Sequence, residues 1–306
     1  MKELVVISGK GGTGKTSIVA SFAALAKNKV LVDCDVDAAD LHLVVDAHIR
    51  YRESFTGGKK ARILADLCEG CGECERLCRF DAVTADGVES DKGEFRIDPL
   101  ACEGCGVCVR FCPVSAIEFK DAVNGEWFIS ETRHGPMVHA KLGMAEGNSG
   151  KLVSLVRAQA RDIAVRENLD LVLIDGPPGI GCPVIASVTG TDLTLVVTEP
   201  TLSGLHDLER VRQLAAHFNI KTAACINKYD LNTEMSARIE EHCYDEGVEL
   251  VGRIPYDRAV TYAQIGKTSV VEFSNNPVSQ EITKMWDRVA RLLEQVPTQN
   301  MVEEHK

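Results

Sequence analysis

Short, continuous apolar runs alternate with longer amphipathic stretches along most of the chain. The runs lie near residues 4–8, 30–33, 171–175, 193–198, 222–226 and 250–254. Their apolar residues are consecutive rather than alternating, which is the mark of strands covered on both faces in a parallel sheet. Helical periodicity fills the intervals at about 15–26, 150–168, 204–218, 233–246 and 277–295. Such an order predicts an α/β fold, a doubly wound parallel sheet with ligands at the carboxyl ends of its strands. The last helix carries Val278, Ile282, Met285, Val289, Leu292 and Leu293 on one stripe. Its other face mixes Glu281, Asp287 and Glu294 with Lys284, Arg288 and Arg291. A membrane-surface helix would be strongly basic there, so packing on the sheet is expected.

The pattern breaks in the middle. Phe55-Thr56-Gly57-Gly58-Lys59-Lys60 reads as a glycine-containing linker, and a small α+β unit is expected over 57–120. The parent domain would then comprise 1–56 and 121–306, with clear parent-type sequence again near Trp127. Inside the insertion two halves repeat, each a cysteine run followed by a small apolar turn, Phe80-Asp81-Ala82-Val83 and Val114-Ser115-Ala116-Ile117.

At 306 residues and 45% hydrophobic, the chain can bury one large core beside a small satellite. A net charge of -11, with no basic run longer than Lys59-Lys60, argues against nucleic-acid or anionic-lipid partners. The N-terminus runs directly into a strand, and no window approaches about eighteen uncharged apolar residues, so a cytoplasmic protein is expected. A reducing compartment also suits twelve cysteines that do not read as a secreted disulfide scaffold.

Most of those cysteines form two runs, Cys68-x2-Cys71-x2-Cys74-x3-Cys78 and Cys102-x2-Cys105-x2-Cys108-x3-Cys112-Pro113. Three thiolates on one tight loop can hold one face of a 4Fe-4S cubane while the fourth serves the other cluster. Cys68, Cys71, Cys74 and Cys112 are therefore expected at one cluster, and Cys102, Cys105, Cys108 and Cys78 at a second. Zinc knuckles and disulfides need neither the doubled spacing nor the terminal Cys-Pro. Arg79 stands where the first run would ordinarily carry proline.

Nucleotide chemistry surrounds this insertion. The first strand feeds Gly9-Lys10-Gly11-Gly12-Thr13-Gly14-Lys15-Thr16, with Ser17 next, a phosphate-binding loop opening a helix. Lys15 is expected at the β- and γ-phosphates and Thr16 at Mg2+. Val30-Leu31-Val32-Asp33-Cys34-Asp35 ends in a carboxylate pair. There Asp35 would orient the attacking water and stand at Mg2+ with Thr16, Asp37 is the alternative for the water, and Asp33 serves magnesium or loop structure. Leu171-Val172-Leu173-Ile174-Asp175 is a second strand ending in an acid, with Asp175 expected at magnesium. The Gly176-Pro177-Pro178-Gly179 turn suits a segment with two defined positions.

Lys10-Gly11-Gly12-Thr13-Gly14-Lys15-Thr16 resembles the deviant Walker A motif of the MinD/ParA/Mrp and nitrogenase iron protein superfamily. The resemblance implies a P-loop ATPase, slow and partner-stimulated, in which Lys10 reaches the phosphates of a partner copy across an ATP-sandwich homodimer. It also places Asn227 and Lys228, and after a further strand Pro255 and Asp257, around the base. Taken with the insertion, the chain resembles MinD-superfamily ATPases carrying a bacterial-type ferredoxin domain with two 4Fe-4S clusters. Clusters with all eight ligands in place, set inside a nucleotide machine, lead to the expectation that dimer closure gates electron transfer to a redox partner protein. The alternative is assembly or delivery of an iron-sulfur or mixed-metal cluster to a client metalloprotein, although the C-terminal Cys-x2-Cys of Mrp-type carriers is absent.

Remaining candidates have plainer readings. Cys182 shares an offset from Asp175 with a cluster ligand of the nitrogenase iron protein, but no second cysteine stands in 146–150, so a small packing residue is expected. Cys34, Cys225 and Cys243 read as buried hydrophobes, and His206 as a hydrogen-bonding residue at a helix start. The segment His134-Gly135-Pro136-Met137-Val138-His139-Ala140 reads as a surface loop.

Overall fold

A computed structural model describes residues 1–86, 94–143, 147 and 149–297. Part of the 146–150 stretch therefore lies outside the described residues. The chain divides into two compact units, the first of Met1–Arg52, Trp127–Lys141 and residues from Gly150 onward, the second of Glu53–Glu126 and Leu142–Ser149. Its strands are β1 (Lys2–Ser8), β2 (Lys29–Asp33), β3 (His48–Ile63), β4 (Val83–Asp86), β5 (Glu94–Ile97), β6 (Ile117–Thr132), β7 (Gly135–Leu142), β8 (Leu171–Pro178), β9 (Leu193–Thr198), β10 (Lys221–Asn227) and β11 (Glu249–Ile254). Its helices are α1 (Lys15–Leu25), α2 (Leu41–Val44), α3 (Glu73–Leu77), α4 (Val107–Phe111), α5 (Ser149–Arg166), α6 (Cys182–Val188), α7 (Leu202–His217), α8 (Thr233–Asp245), α9 (Ala259–Ile265), α10 (Val270–Phe273) and α11 (Pro277–Gln295).

The main sheet has the order β11-β10-β9-β1-β8-β2-β7-β6-β3. The parallel pairs β1/β8, β1/β9, β2/β8, β9/β10 and β10/β11 put successive strand ends at one edge. Every residue of β2 and β9 is buried, so the continuous apolar runs reflect cover on both faces. The predicted stripe of α11 is buried along its length and packs on β11 and α1. Phe22 of α1 meets Trp286 of α11 with ring centroids 4.9 Å apart. Burying each large apolar side chain contributes roughly 1.5–3 kcal/mol, so α11 is a principal clamp on the sheet rather than a surface appendage.

Two expectations fail here. Residues 55–60 are part of β3 rather than a linker, because a strand with charged residues on its positions carries no apolar alternation. The 134–140 segment is no surface loop: His134 ends a tight turn and residues 135–140 belong to β7, which pairs in parallel with β2. His139 is buried there, bonded to the Ser130 hydroxyl at 2.9 Å and stacked on His42 and Phe128. Burial, reinforced by His42, pulls its imidazole down to about 4.

The second unit repeats its backbone as well as its sequence. Gly70 and Gly104 have φ of 69° and 64°, Gly72 and Gly106 74° and 73°, Asp81 and Ser115 50° and 52°. Glycines 72 and 106 each cap the helix that follows, α3 and α4, which pack together. The hairpin β4/β5 pairs Val83 with Ile97 and Ala85 with Phe95. Among the described residues its buried hydrophobics are Phe55, Ala61, Ala82, Val83, Ala116 and Ile117.

Candidate functional site

A cavity of about 630 Å³ opens at the strand ends of the first unit. Gly11, Gly12, Gly14, Lys15, Thr16 and Ser17 line one side. Gly14 has φ +89°, and a Cβ there would fall 2.5 Å from the Asn227 amide nitrogen, so only glycine fits. No side chain caps α1, which leaves its first N–H groups free for an anion. Asn227 donates to the Thr13 carbonyl at 2.7 Å, tying the end of β10 to the loop. Gln264 of α9 donates to the Ser17 hydroxyl at 2.9 Å.

Asp35, Asp37 and Asp40 face this loop across the cavity. Burial raises the Asp35 carboxyl, with Lys15 opposing the shift. Asp33 plays a structural part instead, accepting N–H bonds from Asp35 at 3.0 Å and Leu41 at 3.1 Å and so holding the turn after β2. Burial and the neighbouring Asp175 push its carboxyl well above the ordinary range.

Asp175 itself is 1% exposed, and neither carboxylate oxygen has a hydrogen-bond partner. Burial raises it to about 6, with Lys15 and the nearby Thr16 hydroxyl opposing, although Thr16 closes no well-formed bond to it. A buried carboxylate without partners is costly unless a cation completes it. With Thr16 and Asp35 alongside, the donor set is all oxygen and suits Mg2+.

The far end of the cavity is formed by Ile254, Pro255, Tyr256, Asp257, Val260, Thr261 and Gln264, with Val278 and Ile282 beneath. This apolar face suits a base. Asp257 is already engaged, accepting from Ala259 N–H and from the Asn276 amide, each at 2.8 Å. Asp40, Tyr256, Thr261 and Gln264 went unnoticed in the sequence because they stand outside the glycine-rich motif. Of the expected site residues, Gly9, Lys10, Thr13 and Asp175 are outside the cavity lining. Cys182 is exposed at the first turn of α6, not a packing residue, because α6 begins at the turn that follows β8. Cys34, Cys225 and Cys243 are buried, and burial pushes the Cys243 thiol up to about 11.

In the second unit, Cys68, Cys71, Cys74 and Cys112 line one small pocket with Phe95, Val114, Ala116 and Ile117. The Ala116 N–H donates to Cys112 Sγ at 3.2 Å. Burial raises the Cys74 thiol, and Cys68 and Cys71 add to it. Burial likewise raises the Cys108 thiol, with Cys102 and Cys105 adding to it. Among the described residues no three metal-type side chains converge as they would on a single ion. The donor set at this pocket is all sulfur, the ligand chemistry of zinc and of iron-sulfur clusters alike.

The sheet, the glycine-rich loop and the two strand-end acids define a P-loop ATPase. The chain belongs to the CobQ/CobB/MinD/ParA nucleotide binding domain family, whose pattern matches residues 4–270. It is 32% identical over 301 residues to an uncharacterised protein of Methanocaldococcus jannaschii, covering 95% of this chain and 97% of that one. It is 23% identical over 310 residues to the septum site-determining protein MinD of Buchnera aphidicola, covering 95% and 90%. Among solved structures it is similar to MinD of Pyrococcus horikoshii complexed with Mg-ADP, with a TM-score of 0.57, 17% identity and coverage of 95% and 96%. Among the described residues no helix is long and apolar enough to cross a membrane.

Proposed function

We propose that the chain is an ATP-driven gate for an iron-sulfur electron carrier. Two copies close around ATP through Lys10, and closure controls electron transfer from two 4Fe-4S clusters in the 57–120 module to a redox partner protein. The observation that carries the redox half is the single pocket shared by three cysteines of the first run and the last cysteine of the second. Cys68, Cys71, Cys74 and Cys112 would hold one cluster; Cys102, Cys105, Cys108 and Cys78 would hold the other. Bound clusters would supply one-electron transfer at potentials set by burial and by N–H···S bonds such as that from Ala116.

On the nucleotide side, Lys15 and the first N–H groups of α1 bind the phosphates. Thr16 and Asp175 hold Mg2+, which answers the orphaned carboxylate. Asp35 orients water, and burial keeps its proton affinity raised for that role. The base sits near Asn227, Lys228, Pro255 and Asp257. Lys10 would complete the phosphate site of the second copy, so one copy alone would turn over slowly until paired. The MinD of P. horikoshii carries Mg-ADP, and MinD of Aquifex aeolicus forms a complex with MinC, which supports both a Mg-nucleotide and a protein partner. The negative charge disfavours nucleic acid and membrane, and the thiolates suit a reducing cytoplasm.

A direct test begins with anaerobic purification and iron and sulfide quantification, where about eight irons per chain are expected from two clusters. Acceptor reduction by the reduced protein should then depend on ATP and fail in Lys10→Ala. Rates indifferent to both would leave a carrier and an ATPase with no coupling. Delivery of a cluster to a client is the second reading, favoured by exposed Cys182 beside the magnesium strand. It predicts iron transfer to an apo-metalloprotein instead of electron transfer alone.

A further inference from the structure

Beyond the end of β9, Glu199 turns one carboxylate onto two lysines. Its Oε2 lies 3.2 Å from Lys10 Nζ, and its Oε1 lies 2.6 Å from Lys228 Nζ. Lys228 also donates to the Gly12 carbonyl at 3.3 Å. The Glu199 side chain is 17% exposed and that of Lys10 38%, so the contact is half sheltered and still reachable. Burial works against charge on this carboxyl, but the two lysine hydrogen bonds outweigh it and hold it below its ordinary range.

The backbone beneath Lys10 is fixed. The Ser8 hydroxyl donates to the Lys10 carbonyl at 2.7 Å. A Cβ on Gly9 would fall 2.0 Å from Asp207 Cβ, so the start of the loop lies flush against α7. Where Lys10 points is therefore decided by its flexible side chain and by what accepts its ammonium. In the structure the acceptor is Glu199, within the same subunit.

We propose that Glu199 is a positioning residue for Lys10, retaining the ammonium in cis until the phosphates of nucleotide on a second copy of this chain displace it. This rests on the reading that two copies pair around nucleotide through Lys10. One carboxylate divided between two lysines is a weak competitor for a triphosphate, and an ion pair of this exposure shifts an equilibrium only a few-fold. The exchange is thus reversible. Glu199 would set the ATP level at which pairing begins, and Lys228 would keep the carboxylate from following Lys10 out.

Two measurements test this. Acylation of lysines by a small amine-reactive reagent, followed by mass spectrometry at Lys10, reports the cis contact in nucleotide-free protein. Glu199→Gln should label roughly two- to fivefold faster than wild type, and Glu199→Asp, which keeps the charge, should fall between them. Sedimentation with a non-hydrolysable ATP analogue reports pairing. Its midpoint should drop by roughly the same factor in Glu199→Gln, while ADP affinity and thermal midpoint stay near wild type. Equal labelling of Lys10 in wild type and Glu199→Gln, or a pairing midpoint unchanged or raised, overturns the inference alone. Wild-type protein that stays monomeric with the analogue sinks the pairing reading and the inference with it.

Discussion

The nucleotide unit and the cysteine unit are built from opposite starting points. In the first, α1, β1, β8 and α11 are built on side chains with almost no exposure, and the phosphate loop hangs from that core. Its ligand would meet a site already in place. In the second, the described buried hydrophobics are few, while Leu67, Phe80, Leu100, Val107 and Phe111 are exposed. A unit with so little core needs something else to hold it, and metal ligation is the usual answer. The difference teaches where each part takes its stability: the ATPase from its sheet, whereas the cysteine unit, on the proposed reading, would take it from what its thiols bind.

The largest effect should come from removing that ligand. Protein stripped of iron under anaerobic chelation is expected to lose hydrogen-exchange protection across residues 53–86 and 94–126, by more than about tenfold. Amides of α1 and β8 should keep theirs. Equal protection in stripped and loaded protein would show that the cysteine unit is self-sufficient and erase the contrast.

Next come losses on the nucleotide side that leave the fold alone. Lys15→Ala should lower ATP hydrolysis by roughly 10²-fold or more, the scale of removing one preorganised charge from a transition state. Asp175→Asn should abolish the Mg2+ dependence of nucleotide binding and yet raise the nucleotide-free protein's stability at neutral pH. Removal of a buried, unpartnered charge is the reason. A variant less stable than wild type would mean that Asp175 is satisfied in a way its surroundings do not suggest.

The same carboxylate gives a pH dependence whose sign can be worked out. Asp175 stands at about 6 in the fold, against about 4 in an unfolded chain. Between those values the folded protein binds more protons than the unfolded chain, so stability falls as pH rises from about 4 to about 6 and levels off above. The loss is on the order of 1–3 kcal/mol. Asp33 is raised in the same sense and should keep part of the slope in Asp175→Asn. Glu209 and Glu272, each held at about 2 by arginine and other hydrogen bonds that outweigh their burial, act at lower pH. Urea midpoints at pH 5 and pH 7 isolate the effect, and Mg2+ with nucleotide should flatten it.

How much of this was legible in the sequence follows the same division. Strands β1, β2, β8 and β9 announce themselves because both faces are covered and apolar positions run on without alternation. The chain over β3 does not, since His48, Arg50, Arg52, Lys59, Lys60 and Arg62 carry polar groups where alternation should show. In β7 a glycine and a proline at the start disguise a strand whose later residues are buried. For the site, the phosphate side was readable because glycine and lysine are demanded there by backbone approach and charge. Tyr256, Thr261 and Gln264 were not, because they reach the cavity from α9 and the turn before it through tertiary packing alone. Glu199 was invisible for a related reason: nothing in Thr198-Glu199-Pro200 says which lysines lie within reach.

A matched pair of glycine substitutions sharpens the contrast at its smallest scale. A Cβ on Gly252 would stand 2.7 Å from Met285 Sδ, so Gly252→Ala forces β11 and α11 apart or bends a flexible methionine. Overpacking of this kind costs about 1–3 kcal/mol, and methionine's adaptability argues for the lower end. The cost should appear in the thermal midpoint of the ATPase unit, and any change in ADP affinity should come from the base end of the cavity, where Ile254, Val278 and Ile282 sit on the same two elements, and not from the phosphate loop. In Gly72→Ala space is not the obstacle, since Phe95 Cζ is 3.5 Å away, but φ of +74° is. That strain costs on the order of 1 kcal/mol. In a unit with a thin core the same small cost has fewer contacts to absorb it, and it falls between Cys71 and Cys74. Gly72→Ala should therefore lower iron occupancy measurably while Gly252→Ala leaves it untouched. If both variants kept full iron and differed only in melting, the cysteine loop would be held by its own fold more firmly than its exposed surroundings imply.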